Sequence, residues 1–219
     1  MSEILVNTIK KADGTGSITV PAETGTVVTT AGIPAANITG SLPKGVGGMK
    51  LLSSQTASSD TYIIFDNTII TSDYKNYRLL AKNVVPATDK VHTRIWMSID
   101  NGANFNVSTV GGRQYNQLGV STSGTEATSG GGGEMDINQN IGSDTNEFID
   151  YIIDFVGVTT TGQYKTMMYR SVGTNFNSDD YTWAGASMFL STSAVNYIRC
   201  GFNSGAIESG EFFLYGVES

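Results

Sequence analysis

Few residues in this sequence have the type and spacing that catalysis needs. His92 is the single histidine, so Ser-His or Cys-His chemistry has only one candidate base. It stands between Lys90 and Arg94 at the start of an apolar-alternating run, where a structural or surface role is the simpler reading. Asp150 and Asp154 share one face of a strand-like run. Paired carboxylates cleave glycosidic bonds at separations of about 5–10 Å, and four residues of strand place these two roughly 13 Å apart. Asp179 and Asp180 are neighbours and diverge in an extended chain. No Gly-x-Ser-x-Gly elbow occurs. Gly130–Gly133 lacks the Lys-Ser/Thr that a phosphate-binding loop requires. These residues predict no catalytic centre and no cofactor site.

One metal pattern stands out. Asp136, Asn138, Asn140, Asp144 and Glu147 offer oxygens at the first, third, fifth, ninth and twelfth positions of a twelve-residue window, the spacing of an EF-hand loop. Gly142 falls at the seventh position, one later than the sharp turn demands, and no helices are expected on either side. A polar loop with no metal is the expectation. Cys200 is the only cysteine. It admits no intrachain disulfide and reads as a small buried hydrophobe, in keeping with folding in a reducing cytoplasm.

The formal charge is -7, and Lys10-Lys11 is the only adjacent basic pair. A nucleic-acid partner is therefore not expected, since nothing would neutralise a row of phosphates. No apolar run approaches a membrane span or a signal peptide. Only 15% of residues are charged, and 26 are glycine. Ser, Thr and Asn fill the polar positions. That composition indicates a turn-rich β protein.

The elements that would position these residues follow from period-two alternation. Phe148–Val156 is the strongest strand, with Ile149, Tyr151, Ile153 and Phe155 on one face. Tyr77–Val85 places Tyr77, Leu79, Ala81 and Val85 together, opposite Arg78 and Lys82. Thr93–Asp100 places Ile95, Met97 and Ile99 inward. Further strands are expected at Met49–Ser54, Tyr62–Phe65, Arg113–Val120, Tyr164–Ser171, Tyr181–Leu190, Val195–Phe202 and Phe212–Val217. Ser121–Asn146, glycine-rich and poor in large apolar residues, reads as a long surface loop. No helix is expected. The fold class is all-β: an extended arm over residues 1–48, then an antiparallel β-sandwich over 49–219, of jelly-roll type.

Aromatic residues divide by context. Tyr62, Tyr77, Tyr151, Phe155, Phe189, Phe213 and Tyr215 lie in alternating runs and read as core. Phe176, Tyr181 and Trp183 fall among amides and carboxylates near turns. They form a candidate surface for a glycan or a protein partner, against the plainer reading that they fold back on the core.

The arm is too polar for a core and too regular for a linker. Ser17–Val20 and Thr26–Thr30 are β-like pieces between turns. Ile4, Val6, Ile18, Val20, Val27 and Val28 are the apolar positions through which it would contact other chains, by strand addition or by winding around sister subunits. The run Asp13-Gly-Thr-Gly-Ser-Ile-Thr-Val-Pro-Ala-Glu-Thr-Gly-Thr-Val-Val-Thr-Thr30, with Asn37-Ile-Thr-Gly40, resembles the N-terminal segments of bacteriophage tail-fibre and related virion proteins. The pattern Tyr77-Arg-Leu-Leu-Ala with Arg94-Ile-Trp-Met-Ser-Ile-Asp-Asn-Gly-Ala-Asn-Phe105 is similar to small β domains of such proteins. The resemblance implies a non-enzymatic structural protein, a homotrimer made in the host cytoplasm and carried on the virion as a short fibre, head fibre or tail-associated protein. Its arm would dock on other virion proteins and its β domain would face outward, toward a host-surface glycan. Two alternatives are a carbohydrate-binding module or glycan depolymerase, and a capsid decoration protein with no receptor role.

Overall fold

A computed structural model describes residues 48–105, 112–121, 124–131 and 135–218, with backbone alone over 112–131. The chain divides into two units, Met1–Ser41 and Leu42–Ser219, and every described residue belongs to the second. Ile4, Val6, Ile18, Val20, Val27 and Val28 lie outside the described residues.

The described residues form strands β1 (Met49–Asp60), β2 (Ile63–Phe65), β3 (Asn76–Pro86), β4 (Thr93–Ser98), β5 (Gly112–Ser121) and β6 (Gly124–Gly131), then β7 (Met135–Asp136), β8 (Ile149–Val156), β9 (Lys165–Thr174), β10 (Asp180–Phe189), β11 (Tyr197–Phe202) and β12 (Ile207–Val217), with no helix among them. One sheet has the order β1-β12-β3-β8-β9-β10-β5-β6, and the other β2-β11-β4-β7. All pairings between the strands are antiparallel. The sheets pack face to face as a sandwich. Eight strands, in the orders β1-β12-β3-β8 and β2-β11-β4-β7, have the alternating connectivity of a jelly roll. The pairs β5–β6 and β9–β10 are insertions that widen the first sheet.

Alternation explains the sandwich. On β8, Ile149, Tyr151, Ile153 and Phe155 are buried while Asp150, Ile152 and Asp154 face outward. Tyr77, Leu79 and Ala81 of β3 oppose Phe155, Ile153 and Tyr151 across the ladder. Ile95 and Met97 of β4, Ile198 and Cys200 of β11, and Phe65 of β2 close the core from the second sheet. Burial pushes the Cys200 thiol up to about 12, so it is held as the neutral thiol. Tyr77 is buried with its hydroxyl satisfied, donating to the Thr71 carbonyl at 2.7 Å and accepting from the Thr71 N–H at 3.0 Å.

Four sequence expectations are corrected. The register of β3 shifts between Ala81 and Val84, with Asn83 at φ 51°. This bulge turns Val84 inward in place of Val85. Strand β4 ends at Ser98, whose hydroxyl binds the Asp100 carboxylate at 2.6 Å and takes the Gly102 N–H at 3.0 Å, so Ile99 is left 39% exposed. Tyr62, Phe213 and Tyr215 are part-exposed on outer faces, outside the core. Ser121–Asn146 is no open loop. It contains β6 and β7, and its Met135, Ile137 and Ile141 enter the core. Backbone pairing with β5 needs no apolar side chains, which is why period-two reading passes over β6.

Gly173 marks the tightest close approach on β9. A Cβ there would overlap the Phe148 carbonyl oxygen and lie 2.9 Å from the Ile149 Cα, backbone atoms at the start of the paired strand β8. Gly173→Ala is expected to cost about 1–3 kcal/mol, as overpacking does. Urea denaturation of the variant beside the wild type measures this; an unchanged midpoint would show that the ladder yields freely.

Candidate functional site

The catalytic candidates are taken up by structure. Asp154 holds Arg78 through two bonds, Nε at 2.6 Å and Nη2 at 2.9 Å. Asp150 accepts the Asn83 N–H at 2.6 Å, closing the β3 bulge. Asp179 and Asn175 bond each other around a turn, with the Asp179 N–H on the Asn175 Oδ1 at 2.9 Å. The ligands of the EF-hand-like spacing separate into different contacts. Asp136 lies on β7 and binds Arg94. Asn138 is buried and accepts the Thr93 N–H at 2.9 Å. Glu147 is buried and accepts the Asp144 N–H at 2.9 Å and the Ser178 hydroxyl at 3.2 Å. Among the described residues no three His, Cys, Asp or Glu side chains gather as a metal site.

His92 also enters a structural contact, with Nδ1 3.3 Å from Asp136 Oδ2. Arg94 grips the same carboxylate, Nε to Oδ1 at 2.6 Å and Nη2 to Oδ2 at 3.1 Å. Burial pushes the Asp136 carboxyl up, but the bonds from His92 and Arg94 and the Arg94 charge outweigh it and hold it below the usual carboxylate range.

Of the three aromatic candidates, Tyr181 and Trp183 come together and Phe176 does not join them. Tyr181 stacks on Trp183 with centroids 5.4 Å apart at 11°. Trp183 is only 2% exposed, so its ring is not displayed. Phe176 lies beneath the Lys90 ammonium, 4.1 Å from the ring centroid.

A cluster that the sequence reading did not assemble lies on the outer face of β2-β11-β4-β7. Arg199 of β11 stands between Ile64 of β2 and Trp96 of β4 in the ladder. Its guanidinium carbon is 3.7 Å from the Phe105 ring centroid, 4.0 Å from Tyr62 and 4.7 Å from Trp96. Tyr62 meets Trp96 edge-on at 5.2 Å, and Phe105 meets Tyr197 edge-on at 5.7 Å. Gly201 makes the arrangement fit, because a Cβ there would lie 2.8 Å from Tyr62 Cδ1. Gly102, at φ 82°, does the same for the Tyr197 ring. All four rings are part-exposed. Arg199 has no acidic partner among the described residues. Its Nε is buried without a hydrogen bond.

The available signal was alternation itself. Arg94 and Trp96 are the outward residues between Thr93, Ile95 and Met97, and Tyr197 and Arg199 flank inward Ile198. That these two strands are neighbours, and that Tyr62 and Phe105 reach across them, follows only from the fold. Cation and ring faces in this geometry attract by about 0.5–2 kcal/mol per contact. Such a surface can stack on a ligand and donate to it. Among its described residues no nucleophile and base stand within bonding reach.

Asp136→Asn would remove the charged carboxylate that the largely buried Arg94 holds through two bonds, at an expected cost of about 3 kcal/mol at neutral pH. Because the folded carboxyl is held low, its contribution is complete above an unfolded value of about 4 and is lost as pH falls through the folded value. The stability gap between wild type and Asp136→Asn should therefore narrow on acidification below about pH 4. Urea titrations at neutral and acidic pH check this, and a gap independent of pH would refute it.

Comparison with protein-family models, with curated proteins and with solved structures yields no match to this chain.

Proposed function

We propose that the chain is a non-enzymatic structural protein of a bacteriophage particle, made in the host cytoplasm, docking through residues 1–48 and displaying the β-sandwich for contact with the host surface. The observation that carries the display role is the outer face of the small sheet. Three part-exposed rings surround an arginine that has no acidic partner among the described residues. Surfaces rich in aromatics and arginine are those on which recognition energy concentrates. The carboxylates that a depolymerase would use, Asp150 and Asp154, already serve the β3 bulge and the Arg78 pair, which favours binding over hydrolysis. The particle assignment rests on the resemblance of the arm, and a homotrimer joined through Ile4, Val6, Ile18, Val20, Val27 and Val28 is part of the same proposal.

One observation favours a second reading, a decoration protein with no receptor role. The outer face of the large sheet exposes Met168 and Val172, each about half, beside Val156. A face of that kind suits packing against a capsid lattice.

Deleting residues 1–45 is expected to leave a folded sandwich that no longer joins particles. Circular dichroism of the truncated protein and its copy number in purified particles test this. Undiminished incorporation would overturn docking through the arm. Particles carrying the full chain that adsorb to cells no better than particles lacking it would favour decoration over attachment.

A further inference from the structure

Resting on the attachment role proposed above, we infer that the outer face of β2-β11-β4-β7 binds the carboxylate of an acidic saccharide, with Arg199 as the fork that receives it. The guanidinium is held among Phe105, Tyr62 and Trp96 at 3.7, 4.0 and 4.7 Å. Stacking of this kind fixes its plane and removes most of the rotamer freedom that a surface arginine loses on binding. Nε is withdrawn from water and bonds to nothing. The terminal nitrogens are neither bonded to a described residue nor among the buried unpaired atoms, and Arg199 is part-exposed, which leaves them accessible to solvent. A partly dehydrated cation with its two terminal donors outward suits a planar carboxylate, which accepts two parallel N–H bonds.

Two other arginines, one on each sheet, are paired with carboxylates of the chain itself. Arg94 receives Asp136 and Arg78 receives Asp154, each through two bonds. Arg199 receives Ile64 and Trp96 across the ladder instead. The chain as a whole is acidic, at -7, so an isolated cation on this face favours a lone carboxylate over a dense polyanion.

A saccharide fits better than a peptide. Strands β11 and β4 are interior to their sheet, with β2 and β7 outside them. The backbones of β11 and β4 are already paired on both sides, so a peptide cannot add as a strand at Arg199 and Trp96. The part-exposed rings of Phe105, Tyr197 and Tyr62 instead present apolar surface on which the C–H face of a pyranose can rest while the fork holds its acid group.

The test uses the full chain and four probes: the methyl glycosides of glucuronic acid and N-acetylneuraminic acid, the methyl ester of the first, and methyl glucoside. Binding is followed by tryptophan fluorescence and by calorimetry. The acidic glycosides are expected to bind, with the ester and the neutral sugar weaker by about tenfold or more. Arg199→Lys keeps the charge but loses the planar fork and should weaken acid binding by a similar factor, while Asp150→Asn should not. Equal binding of acid and ester, acid binding unaffected by Arg199→Lys, or no binding of either acid overturns the site. Should Arg199→Lys fail to fold, the ester comparison on the wild-type protein decides alone. Adsorption of particles is read separately. Saccharide binding with adsorption insensitive to Arg199→Lys supports the site and removes attachment through this face, so the two readings fail apart.

Discussion

Ile149, Tyr151, Ile153 and Phe155 stand on one side of β8, withdrawn from water, and Asp150 and Asp154 stand on the other. Withdrawing each large apolar side chain contributes about 1.5–3 kcal/mol. The same stripe fixes register. A slip of one residue would drive two carboxylates into the core and expose four large side chains, a change no surface contact could offset. The outward ion pairs are minor beside this. Arg78–Asp154 and Lys82–Glu211 are both well exposed, and such pairs contribute about 0–1 kcal/mol. The sandwich is therefore held from inside. Its outer faces are left free to vary without loss of fold.

What could be read from the chain alone follows the same division. The inward stripes of β8, of β3 as far as Ala81, and of β4 as far as Met97 are legible, because period two and burial are one signal. Reading fails where the backbone departs from period two. The bulge at Asn83 moves the inward position from Val85 to Val84, and the turn closed by Ser98 and Asp100 leaves Ile99 outside. It also fails where strands form without apolar side chains, as in β6. Tyr62 departs from the core expectation for a different reason. Its neighbours Ile63 and Phe65 are core, and the ring crosses β11 only because Gly201 leaves room.

The candidate surface was illegible because it is made by contact order and not by local pattern. Tyr62, Trp96, Phe105 and Arg199 are separated widely in sequence and meet because β11 inserts between β2 and β4. In a jelly roll the strands of one sheet come from opposite ends of the chain. Trp183, by contrast, drew attention through its polar neighbours in sequence, yet its side chain points along the inward set of β10 with Ser187 and Phe189 and is buried there. Local composition pointed outward while the pleat pointed inward, and the pleat decided.

Strand order also explains why two arginines on one sheet face have different fates. Arg94 on β4 faces Asp136 of β7 on one side and Gly201 of β11 on the other. The carboxylate satisfies it, and the glycine leaves room. Arg199 on β11 faces Ile64 and Trp96, so its cross-strand neighbours supply surface and no anion. Stacking gives its cation a fixed plane but leaves its charge uncompensated by any described acid. A guanidinium loses hydration when rings enclose it and regains an equivalent interaction only from an acceptor. The acceptor for Arg94 is built into β7, whereas the fold sets Arg199 among rings and leaves the acceptor to come from outside the chain.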